Sequence, residues 1–131
     1  MRNFRCSAVR GALLAPLVMT TVAMANPAEN DVAMLKLAAQ RGCMACHTVL
    51  PGHKRADGLP PIAPAWRDIA IKYRDDPAAS ERLTRIVMRG SNPRESHWVG
   101  KVSPVTMPPH VGSISQTDAR MLVNWILVLV P

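Results

Sequence analysis

The chain has 131 residues, with 16 Lys and Arg, 9 Asp and Glu, 4 His, 3 Cys, 12 Pro and only 4% aromatics. That length accommodates one domain, and 48% apolar with 19% charged residues is the balance of a globular chain, neither disordered nor collagenous. A large enzyme with separate cofactor and substrate domains is excluded. The net charge of +7 shrinks once the N-terminus is taken into account.

Residues 1–25 hold Arg2, Arg5 and Arg10 and no acid, then an apolar stretch from Gly11 to Val22, then Ala23-Met24-Ala25. A basic head, an apolar run too short to span a bilayer and an A-x-A site predict a secretory signal peptide cleaved after Ala25. Cys6 precedes the apolar run and is not placed for lipid attachment. The mature domain is then 26–131, with 13 basic and 9 acidic side chains, a net charge of +4. It keeps four aromatic side chains and two cysteines, Cys43 and Cys46. No basic run interleaved with aromatics remains, so nucleic acid is a poor partner.

Four segments carry helical periodicity and none alternates as a strand does. The first runs from about Asp31 to Arg41, with Asn30 or Asp31 as N-cap and Gly42 as its stop. The second begins at Pro64 and puts Trp66, Ile69, Ala70 and Tyr73 on one face. The third is capped by Asp76 with Pro77 in its first turn, aligns Leu83, Ile86 and Val87, and ends at Gly90. The fourth opens on Ser115-x-x-Asp118 and runs through Leu122, Trp125, Ile126 and Leu129. Its stretch 121–130 is apolar nearly all round, too short for a membrane span and broken by Asn124, hence a buried core helix with no stable membrane insertion.

Two Pro-rich irregular stretches lie between, Thr48–Ala63 and Ser91–Gly112. Long loops in a small domain usually have a functional reason. A domain of this size is also marginal on hydrophobic burial alone, so a core component beyond the side chains is expected.

Cys43-Met44-Ala45-Cys46-His47 names that component. C-x-x-C-H is the attachment signature of c-type haem: two sulfurs tether the macrocycle edge and the next imidazole reaches iron from the proximal side. Three other readings compete. A redox-active C-x-x-C wants a βαβ context, a zinc site needs two more ligands where only His53 is near, and a plain disulfide is the third. For the second axial ligand, Met34, Met88 and Met121 sit in helical stretches and Met44 in the attachment motif. Met107 stands in the rigid segment Met107-Pro108-Pro109 just before the last helix, which suits a strap carrying a soft thioether. His110 is the competing ligand, and His53 and His97 read as solvated loop histidines.

With these residues in hand, the chain resembles the class I cytochromes c, most closely the short bacterial c-551/c-552 type. The resemblance covers nearly all of residues 31–130. It rests on the C-x-x-C-H motif, Pro64-Ala-Trp-Arg-Asp-Ile-Ala, Arg89-Gly-Ser91, Trp98-Val-Gly100, the Met107-Pro-Pro strap and Asn124-Trp125-Ile126-Leu127. It implies an all-α, small single-domain cytochrome c fold, with about four helices wrapped around one covalently bound haem c. Cys43 and Cys46 would carry the thioether links, with His47 and Met107 as metal ligands. The carbonyl of Pro64 would accept from the proximal imidazole, with Pro60 and Pro61 close by as alternatives, and Trp98 would lie near a haem propionate. The first and last helices would cross near the attachment site. His110 departs from the Asn often found there, and a His110–Met107 hydrogen bond would make the potential pH-dependent.

An iron ligated on both sides has no open position for substrate, so the expected function is a periplasmic electron carrier, not an enzyme, docking briefly with redox protein partners. Lys54, Arg55, Arg94 and Lys101 in the two loops form either a solvated surface or a docking patch for an acidic partner. The alternative is the haem subunit of a larger periplasmic oxidoreductase, such as a sulfite or sulfide dehydrogenase, with a catalytic partner subunit. A five-coordinate haem enzyme or gas-binding protein would carry its attachment motif near the C-terminus instead.

Overall fold

The computed structural model describes residues 26–52 and 55–129; the expected signal peptide, His53, Lys54 and residues 130–131 lie outside them. Helix α1 spans Pro27–Gln40. It starts earlier than the expected Asp31 because Asn26 caps it, accepting from the Ala28 N–H at 3.2 Å, and Pro27 supplies a preset first turn. Gly42, at φ 76°, stops the helix in the left-handed region, and Cys43–Ala45 follow as one 3-10 turn.

Helix α2, Trp66–Lys72, begins two residues past the expected Pro64. Ala65 is extended and acts as N-cap, and the first amides of α2 reach sideways: Trp66 N–H donates to Thr48 O at 2.9 Å and Arg67 N–H to Val49 O at 3.1 Å. Loop carbonyls thus satisfy donors that the first helical turn leaves unpaired, tying α2 to the segment after His47. Helix α3 spans Ala79–Arg89 and has Ala78 as N-cap. Asp76 caps the turn ahead of it, accepting from the Ala78 N–H at 2.9 Å, so the helix starts later than its capping signal suggests. Gly90 ends it as expected. Helix α4, Gln116–Leu127, is capped by Ser115, whose Oγ accepts from the Asp118 N–H at 3.0 Å, and ends short of Leu129.

The described residues contain no strand, only an isolated bridge between Val111 and Ile114. One 3-10 turn, Pro93–Glu95, lies in the second Pro-rich loop. Helix α4 packs on α1, α2 and α3. Its Leu122, Trp125 and Ile126 join Ala38 and Trp66 in the buried cluster, edged by Met34, Leu35, Cys43 and Ile69. The Trp66 and Trp125 rings meet edge-on, with centroids 5.5 Å apart. The stretch 121–129 is not buried all round: Met121 in α4 and the C-cap Val128 are 45% and 73% exposed. Its Asn124 accepts from the Ser80 hydroxyl of α3 at 2.5 Å. No helix among the described residues is long and apolar enough to cross a membrane.

Candidate haem site

The attachment motif sits where α1 ends against the core. Cys43 is half-buried and edges the Trp66–Trp125 cluster, while Cys46 is exposed; neither is bridged. Burial pushes the Cys43 thiol up, reinforced by the neighbouring Cys46 and partly opposed by its own backbone.

His47 turns inward and stacks on Trp66, with centroids 6.0 Å apart. Its Nδ1 lies 2.8 Å from the carbonyl oxygen of Pro64. A carbonyl only accepts, so Nδ1 carries the proton and Nε2 keeps a free lone pair. Burial holds the imidazole below its ordinary pKa; the Pro64 contact opposes this and His110 adds to it. A neutral ring with one free nitrogen results. The other two prolines are engaged elsewhere: the Pro60 carbonyl accepts from the Ser103 hydroxyl at 3.3 Å and the Pro61 carbonyl from the Ser103 N–H at 2.8 Å.

Met107 is half-buried on the strap, which is stitched to the end of α3. Met107 N–H donates to Ser91 Oγ at 2.9 Å, and Ser91 N–H donates back to Met107 O at 3.0 Å. Further along, His110 N–H donates to Val87 O at 3.1 Å and Val111 N–H to Met88 O at 3.2 Å. These two helix-end carbonyls have no partner within α3 and find one in the strap. Gly90 lets the strap approach: a Cβ there would stand 2.9 Å from Met107 O and 3.0 Å from Pro109 N. The His110 ring has its hydrogen-bond partner in Ser113 at 3.5 Å, the outer limit for such a contact; the expected bond to Met107 is not among those of the described residues.

Trp98 is half-buried, with Lys72 Nζ 5.2 Å from its ring centroid. It shares a cavity of about 470 Å³ with Pro61, Pro64, Asp68, Lys72 and Lys101. The preceding residue is not simply solvated, as the sequence suggested: His97 Nδ1 and Tyr73 Oη share a 2.7 Å hydrogen bond that joins this loop to the end of α2. The contacts of Ser91, Gly90 and His97 were missed because only tertiary approach creates them. The available signals are Gly90 as a helix stop and the segment Arg89-Gly-Ser91 that contains it.

The apolar surface tests whether haem fits. Helix α3 buries only its small Ala79 and Thr84, whereas the larger Leu83, Ile86 and Val87 stay partly exposed. Leu59, Val99 and Val105 of the two loops are 56%, 75% and 65% exposed. A domain this small does not ordinarily leave so many large apolar groups uncovered on one amphipathic helix and its loops. A flat apolar group held by the motif and the strap would cover such surface, and a neutral imidazole with a thioether matches iron chemically. The residues fit haem c. No group of three His, Cys, Asp or Glu converges as a metal site among the described residues, so the zinc reading gains nothing.

No family model matches the chain. It is 37% identical over 102 residues to cytochrome c-551 of Allochromatium vinosum, covering 78% of this chain and 92% of that protein. It is 31% identical over 121 residues to cytochrome c-552 of Nitrosomonas europaea, covering 92% and 99%. The crystal structure of the wild-type N. europaea cytochrome c552 superimposes with a TM-score of 0.56 at 33% identity, over 72% of this chain and 96% of that one. The class 1 cytochrome MtoD of Sideroxydans lithotrophicus ES-1, at 22% identity and a TM-score of 0.52 over 74% and 92%, shares the fold.

Among the described residues, four helices and no strand close on a C-x-x-C-H turn, the architecture of a small haem-binding electron carrier. The chain belongs to the class I c-type cytochromes, in their c-551/c-552 group. It carries covalent haem c and transfers electrons rather than catalysing a reaction.

Proposed function

We propose that this cytochrome is exported to the periplasm, cleaved after Ala25, and shuttles single electrons between redox protein partners as the mature domain 26–131. Cys43 and Cys46 would hold the porphyrin through thioether links, and His47 Nε2 and Met107 Sδ would supply the iron's nitrogen and sulfur ligands. Haem c supplies the chemistry, the uptake and release of one electron; the chain supplies fixed ligands and an apolar surround.

Pro64 holds His47 in the tautomer that presents Nε2, and Trp98 would lie near a haem propionate. The carrying observation is the 2.8 Å bond between His47 Nδ1 and Pro64 O, which fixes the ring proton on Nδ1 and leaves the Nε2 lone pair for a metal. Ligation from both faces keeps rearrangement on electron transfer small. Lys101 and Arg94, both exposed in the loop beside Trp98, support transient docking of an acidic partner.

Ferric spectra of Met107→Ala and His110→Ala test the ligand set. The reading requires the weak sulfur-to-iron band in wild type, its loss in the first variant and its persistence in the second; a wild type without the band, whose spectrum changes in His110→Ala and not in Met107→Ala, makes His110 the ligand. The isolated exported protein should mass as residues 26–131 plus one haem. Consistent co-purification with a flavin or molybdenum subunit would replace the free-carrier role by that of an enzyme's haem subunit.

A further inference from the structure

We infer that Ser91 is a positioning residue for the distal ligand: it fixes the Met107 backbone from both sides and so sets how easily an outside ligand displaces the thioether. The inference rests on the reading of Met107 as that ligand.

The chemistry of the strap makes Ser91 special. In Met107-Pro108-Pro109 the two prolines have no N–H, so Met107 owns the only main-chain donor of the three residues. Ser91 Oγ takes that donor at 2.9 Å, and the Ser91 N–H returns a bond to the Met107 carbonyl at 3.0 Å. Both polar groups of one peptide residue are thereby held by a single partner.

The next anchors along the strap, His110 N–H on Val87 O and Val111 N–H on Met88 O, lie beyond the prolines. They locate the strap as a whole. Ser91 locates the residue whose side chain does the binding. Sulfur stands three bonds from the fixed Cα, so little freedom remains beyond the side-chain torsions. Gly90 permits this approach, because any side chain there would press on the Met107 carbonyl. The Ser91 N–H bond survives any substitution except proline, whereas the hydroxyl bond is removable, which makes the inference testable.

The experiment titrates ferric holoprotein with imidazole and follows the weak sulfur-to-iron band. Loss of one such hydrogen bond corresponds to about tenfold in an equilibrium constant. Ser91→Ala should therefore bind imidazole about tenfold more tightly than wild type, while Ser91→Thr, which keeps the hydroxyl, stays within about twofold. Should Ser91→Ala not accumulate, Ser91→Gly removes the same hydroxyl and is expected to shift in the same direction. Asp31→Ala, which weakens the remote α1–α4 contact, controls for general destabilisation and should leave imidazole affinity within about twofold. Wild-type affinity in the Ser91 variants, or an equal rise in Asp31→Ala, overturns the inference. Met107→Ala is run alongside: if the band survives in it, the ligand reading itself has failed and the Ser91 role falls with it.

Discussion

The indole N–H of Trp125 donates to Asp31 Oδ1 at 2.7 Å, joining the last helix to the first across 94 positions of sequence. The bond lies beside the Trp66–Trp125 contact and ties the start of α1 to α4, far along the helix from the attachment turn at its other end. Asp31→Ala removes the exposed, charged acceptor of the buried Trp125 indole N–H and should cost about 1–2 kcal/mol. For a domain of this size that lowers the melting temperature by about 4–8 °C per kcal/mol, read by calorimetry of the holoprotein. Asp31→Asn keeps an acceptor oxygen and should lose less.

Gly90 and Gly58 both have positive φ, 83° and 72°, but only Gly90 meets other atoms where a Cβ would stand. Gly58→Ala should cost only the backbone penalty, about 1 kcal/mol. Gly90→Ala adds a collision with Met107 O and should exceed about 2 kcal/mol in denaturant titration. It should also weaken the ferric sulfur-to-iron band, since the strap must move outward. Equal costs at the two glycines would refute the packing argument.

Burial raises the Tyr73 hydroxyl above its ordinary pKa, with the nearby Arg82 guanidinium partly opposing this. The sign follows from linkage. The unfolded chain gives up this proton near pH 10 and the folded chain only above it, so the stabilisation is intact below about pH 10 and declines as pH rises through the folded value. Thermal unfolding between pH 9 and 11, on the order of that pKa, should show a steeper loss for wild type than for Tyr73→Phe. The variant should also lose about 1 kcal/mol at neutral pH through the missing bond to His97. Parallel pH profiles would show that Tyr73 does not carry the effect.

Removing the tether should expose how small the protein core is. A Cys43→Ala/Cys46→Ala double variant should give no pyridine haemochrome after denaturation. Its stability should fall below the roughly 5 kcal/mol typical of a marginal native state, because the buried cluster comprises five side chains. Circular dichroism should show a broad melt with reduced helicity. A sharp transition at the wild-type temperature would mean that the polypeptide folds without help from the group.

The haem motif and the strap were legible because both are local: their chemistry sits in five and three consecutive residues. Helix identities followed from periodicity, and the two ends marked by Gly90 and Ser115 were placed correctly for the same reason. Starts were harder. Asn30-Asp31 looks as good a cap as Asn26-Pro27 until tertiary contact claims Asp31 for Trp125. Pro64 looks like a first helical residue, yet its carbonyl goes to His47 and α2 waits until Trp66. Pairings at long separation, such as Tyr73 with His97 and Ser91 with Met107, have no local signature. They arise only when loops fold back on helices.

The strap hangs from the final turn of one helix, while the attachment turn continues α1 and rests Cys43 on the core cluster and His47 on Trp66. The two hemispheres of the molecule therefore differ in tenacity. Warming or mild chaotrope should loosen the sulfur side first as a small, reversible excursion, with the histidine side keeping its shape until the whole chain gives way. In such a scaffold, exchange at iron and wholesale melting are separate events with separate temperatures.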